Sequence, residues 1–67
     1  MMDYSNAEIA ALIDDCIHSE RDRAILKRRL CDGIRFEPLA EEFCLSVRHC
    51  KRIVYNGMDK ISRRVTA

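Results

Sequence analysis

The run EPLAEEFCLSVRHCKRIVY, from Glu37 to Tyr55, constrains the fold more than any other part of the chain. It sets an acidic helix start, an abrupt break and a basic helix start side by side. Pro38 belongs in the first turn of a helix, where its missing N–H has no helical partner to lose. Phe36, Leu39, Ala40 and Phe43 then face inward while Glu37, Glu41 and Glu42 stay wet, which predicts a short helix from about Phe36 to Phe43. The chain breaks at Cys44-Leu45. Ser46 reads as the N-cap of a second helix, Val47 to about Arg63, with Val47, Cys50, Ile53, Val54, Gly57 or Met58, and Ile61 turned inward. Gly57 weakens that pattern by roughly 1 kcal/mol relative to alanine, so a bend or an end is expected there.

The same spacing continues upstream. Ile9, Leu12, Ile13, Cys16 and Ile17 form one apolar stripe, capped by Ser5 or Asn6 and closed at His18-Ser19. Ser19 caps the next helix, which carries Ala24, Ile25, Leu26 and Leu30. That helix ends at Asp32-Gly33, where glycine takes the left-handed conformation at no steric cost. No strand alternation appears. The expectation is an all-α fold, a four-helix bundle (a three-helix core plus an N-terminal helix) that contains a helix-turn-helix over about 36–63. With 67 residues, the chain is read as one domain, 1–67.

Charge is distributed unevenly. Residues 1–20 hold Asp3, Glu8, Asp14, Asp15 and Glu20 with no lysine or arginine, a net −5. Residues 46–67 hold Arg48, Lys51, Arg52, Lys60, Arg63 and Arg64 against Asp59 alone, a net +5. The whole chain is only +1. Such polarity suits a domain with one anion-facing end, and it equally suits a solvated helix face. No apolar run nears the roughly 20 residues of a membrane span, and the start lacks a secretory leader pattern, so a cytoplasmic protein without membrane contact is expected.

Cys16, Cys31, Cys44 and Cys50 contain no C-x-x-C pair. They read as reduced thiols acting as small hydrophobes. A metal site of Cys16, His18, His49 and Cys50 is the alternative, but their spacing matches no zinc pattern, so neither a metal nor a cofactor is expected. With no nucleophile–base pair and no Gly-rich phosphate loop, an enzyme is the least supported class.

A short helix, a tight turn and a helix with a basic front form a helix-turn-helix, whose second helix enters the major groove by its first turns. Ala40 is the small residue where the helices cross. Leu39, Phe43, Leu45, Cys50 and Ile53 pin the corner. The outward positions are Ser46, Arg48, His49, Lys51, Arg52, Tyr55 and Asn56.

The stretch ERDRAILKRRLCDGIRFEPLAEEFCLSVRHCKRIVYNGMDKI, most of the chain, resembles region 4 of bacterial sigma-70-type RNA polymerase sigma factors and related small regulators from bacteria or phage. The likeness rests on the charged helix with its Ile-Leu pair, Asp-Gly, an aromatic-led short helix with Leu-Ala, Leu-Ser-Val-Arg, and the closing Lys-Arg-Ile helix. Three positions depart from the family: Cys44 replaces the corner glycine, Arg35 replaces the Ser or Thr cap, and Pro38 is foreign to it. The domain that opens the −10 element is also missing, so the chain is not expected to be a complete sigma factor.

The resemblance implies a sequence-specific transcription regulator that binds double-stranded DNA at a promoter-like element, with 47–63 as the recognition helix. Arg48, Lys51 and Arg52 suit guanine O6/N7 or phosphate, and Tyr55 and Asn56 rank second. Ser46 and its helix N-terminus suit a phosphate, and His49 reads more readily as a surface residue. Lys27, Arg28, Arg29 and Arg35 are candidates for flanking phosphate contacts. RNA polymerase is a further partner implied by the family. The alternative is a protein-interaction module, accessory or anti-sigma-like, that binds polymerase or another regulator without specific DNA binding. The acidic first helix, with apolar surface at Ile9, Leu12, Ile13 and Ile17, favours that alternative; it equally suits packing on the bundle or a homodimer that pairs two half-sites.

Overall fold

The computed structural model describes residues 4–66 as four helices and, among them, no strand. They are α1 (Asn6–Cys16), α2 (Glu20–Leu30), α3 (Phe36–Glu42) and α4 (Val47–Thr66). The all-α expectation holds, including the helix–turn–helix order of α3 and α4.

Serines start three of the helices. Ser5 caps α1 through a reciprocal box: its Oγ accepts from the Glu8 N–H at 3.2 Å, and Glu8 Oε1 accepts from the Ser5 N–H at 3.1 Å. Ser19 Oγ accepts from the Asp22 N–H, and Ser46 Oγ from the His49 N–H at 3.1 Å. Arg35 precedes α3 and provides no side-chain cap.

Burial then assembles the bundle. Ile13 from α1 and Ile17 just after it, Ile25 and Leu26 from α2, Leu39 and Ala40 from α3, and Cys50, Ile53, Val54 and Ile61 from α4 make one core. Half-buried Ile9, Leu12, Leu30, Phe36, Phe43 and Leu45 surround it. No buried side-chain N or O among the described residues lacks a partner, so the interior carries no desolvation penalty of that kind.

Two expectations need correction. The last helix does not stop at Gly57; it runs unbroken to Thr66, past the anticipated end at Arg63. Gly57 is buried because it lies against fully buried Leu26 of α2. A β-carbon at Gly57 would meet Leu26 Cδ2 at 2.9 Å and Cγ at 3.1 Å. The glycine therefore permits a close helix crossing, and Met58 beside it stays 44% exposed. The second correction concerns the thiols. Cys50 is a core residue, but Cys44 is exposed and fills no apolar site.

Cys44 is the corner of the helix-turn-helix. Its φ of 56° makes it the one non-glycine with positive φ among the described residues. The Leu45 N–H reaches the Ala40 carbonyl at 2.8 Å and the Cys44 N–H reaches that of Glu41 at 3.2 Å. This pairing closes a helix end through a left-handed residue, usually glycine. Gly33, after α2, takes a similar φ of 69°.

Candidate nucleic-acid interface

The first two turns of α4 are shaped by the corner before them. Leu45 returns the chain to the core, Ser46 caps the helix, and Val47, Cys50, Ile53 and Val54 face inward. Helical geometry then turns the intervening residues outward. Ser46, Arg48, His49, Lys51, Arg52, Tyr55 and Asn56 are all exposed. Ser46, Arg48, His49 and Arg52 border one shallow, open depression. Arg52 and Asn56 continue along a neighbouring surface towards Lys60 and the end of α1. Lys51 and Tyr55 occupy the other flank, beside Phe36.

Ion pairing separates the cations into two groups. Lys27 Nζ lies 2.8 Å from Asp14, and Arg64 lies 3.3 Å from Asp15. The acidic first helix thus meets part of the positive charge within the molecule. Arg28 bridges Asp32 and Glu42, each at 2.9 Å. Those bonds, that to Glu42 first, raise its guanidinium pKa above the ordinary value. Arg63 pairs with Asp59 one turn earlier on α4. Arg35, Arg48, Lys51, Arg52 and Lys60 form no ion pair among the described residues.

Of the flanking candidates, then, Lys27 and Arg28 are held by carboxylates, whereas Arg35 is exposed and has no ion-pair partner among the described residues. Arg29 donates to the Ile34 carbonyl at 2.9 Å, with its guanidinium carbon 4.4 Å from the Phe36 ring centroid. Phe36 also has Lys51 Nζ at 5.6 Å and the Tyr55 ring edge-on at 6.1 Å. Sequence reading placed Phe36 in the core only. The signal for its second role was the four-residue spacing of Lys51 and Tyr55, which carries meaning only once α3 and α4 are seen to pack.

Among the described residues no three His, Cys, Asp or Glu side chains gather as a metal site, and no helix is long and apolar enough to cross a membrane. Cys50, once weighed as a ligand, is fully buried, and burial pushes its thiol pKa up while nearby Arg29 pulls it down by less. Away from α4's front, Tyr4, Ile9, Leu12, Leu30, Met58 and Ile61 line an apolar groove of ≈ 330 Å³. No protein-family model, curated protein or solved structure gives a significant match to the chain.

Proposed function

We propose that this protein binds double-stranded DNA through α4 and acts as a transcription regulator of sigma region 4 type. The observation that carries the reading is the first turn of α4. The other helices place acid there: Glu8 in α1, Glu20 and Asp22 in α2, Glu37 in α3. α4 has none and carries Arg48 instead. A cation at the positive end of a helix dipole costs about 0.3–1 kcal/mol, so folding alone favours the opposite charge. An anion approaching that end would meet the dipole, the free N–H groups and Arg48 together.

Arg48, Lys51 and Arg52 extend this surface over the following turn, and Asp59, two turns beyond Arg52, limits it. Ser46 positions the helix start. The cations supply phosphate attraction, and Arg48 and Arg52 offer forked donors for guanine edges.

The test is duplex binding against salt, by fluorescence anisotropy. Affinity should fall with a log–log slope of about −0.9 per phosphate neutralised. Replacing Arg48, Lys51 and Arg52 together with alanine should abolish binding while leaving the helical content intact. Unchanged binding by that variant sinks the assignment.

A second reading, a protein-interaction module, draws on the apolar groove bordered by exposed Met58 and Tyr4. Absence of duplex binding at low salt, together with capture of RNA polymerase that Met58→Asp abolishes, would favour it over the DNA reading.

A further inference from the structure

We infer that Phe36 is a positioning residue that holds Arg29 and Lys51 as one phosphate clamp beside the recognition helix. The inference rests on the DNA-binding reading and adds a role for a residue of α3, outside α4. Its starting point is an electrostatic imbalance. Arg29 and Lys51 come from different helices, yet both lie over one ring, at 4.4 Å and 5.6 Å from its centroid. Neither has a carboxylate within ion-pairing distance among the described residues. Two like charges brought together repel, and Lys27, Arg28 and Arg64 show that this chain places acids beside its cations elsewhere.

The negative face of the ring partly offsets the repulsion, since a cation within about 6 Å of an aromatic centroid is attracted by its quadrupole. The ring also restricts both long side chains, as does the Arg29 bond to the Ile34 carbonyl. Tyr55 packs edge-on and fixes the ring from the α4 side. The result is a pair of pre-oriented cations with unmet charge, on the flank of α4 away from the depression of Arg48 and Arg52. In solution small counterions neutralise such a pair, and a duplex backbone displaces them with a gain in entropy. Pre-orientation lowers the ordering cost of each contact.

The experiment compares wild type, Phe36→Leu and Phe36→Tyr for binding to a fluorescein-labelled duplex across a salt series, with thermal melts of each. Leucine keeps apolar bulk and removes the ring; tyrosine keeps the ring. Phe36→Leu should bind roughly tenfold more weakly at low salt. Its salt slope should be shallower by about one to two units, from the loss of up to two phosphate contacts. Phe36→Tyr should restore both. A folded Phe36→Leu with wild-type slope, or a Phe36→Tyr no better than leucine, overturns the inference and leaves the α4 reading standing. Should Phe36→Leu fail to fold, Arg29→Gln carries the test, because it removes the charge of one member of the pair and leaves the ring in place. Its slope should drop by about one unit, and an unchanged slope overturns the clamp. No duplex binding by wild type would sink both proposals at once.

Discussion

Gly57 of α4 lies against Leu26 of α2 so closely that a single added methyl group would strike the leucine side chain at Cδ2 and Cγ. Leu26 is fully buried within the core. Gly57→Ala therefore brings two opposed effects: about 1 kcal/mol gained from helix propensity, and typically 1–3 kcal/mol lost to overpacking. The steric effect should win, for a net loss of up to about 2 kcal/mol in urea unfolding. In a Leu26→Ala background the same substitution should stabilise by about 1 kcal/mol. A double-mutant cycle reads the difference, and the same sign in both backgrounds would refute the contact as the cause.

Cys44 gives the opposite expectation. A side chain in the left-handed region costs roughly 1–2 kcal/mol, partly offset here because glycine would loosen the unfolded chain. Cys44→Gly should raise stability by about 0.5–1 kcal/mol, or roughly 2–8 °C in melting temperature for a domain of this size. Cys44→Val should lower it. A lower melting point for the glycine variant would contradict the φ of 56°.

Arg48 sets stability against binding. Arg48→Glu places an acid at the start of α4, where it should stabilise the fold by about 0.5–1 kcal/mol, and should abolish duplex affinity. Thermal melting and anisotropy on one sample measure both. If the glutamate variant melts lower, Arg48 contributes to folding in a way the helix dipole does not describe.

The Cys50 thiol should report on pH. Burial raises its folded pKa, so its stabilising effect is complete below the unfolded thiol value, near 9.0. Stability should fall as pH rises through that value towards the folded one, because the unfolded chain releases the proton first. Wild type should lose stability between pH 8 and 10 more steeply than Cys50→Ala. In native protein an alkylating reagent should modify exposed Cys44 quickly and Cys50 only on unfolding. Rapid native labelling of Cys50 would mean that the core opens at α4.

Much of the fold was legible because much of it is local. The three serine caps act across three residues, and the apolar stripes of α1 and α4 follow helical spacing; both can be read from one segment at a time. The corner was located for the same reason, and Cys44 stood out there because the φ required by a turn is a property of the turn itself. What escaped depends on segments far apart in the chain. Gly57 looked like a weak point until Leu26 was seen beside it. The basic block at Lys27 and Arg28 looked free until Asp14 and Glu42 were seen to meet it. Val65, half-buried against the core, helps explain why α4 outlasts its expected end. On the candidate site, exposure of Ser46 and of the six α4 positions followed from periodicity, whereas the grouping around Phe36 needed the packing of α3 on α4.

The unbroken α4 turns core packing into a matter of aim. At 1.5 Å per residue Arg48 stands roughly 14 Å along the rod from Gly57, and the helix spans about 30 Å in all. Gly57 sits near the middle of the helix, in close contact with Leu26 of α2, and so serves as a fulcrum. A tilt of about 5° there would swing Arg48 by about 1 Å, a large share of a hydrogen bond's tolerance. A buried substitution far from any base could thus retune which sequence is read while every outward side chain stayed the same.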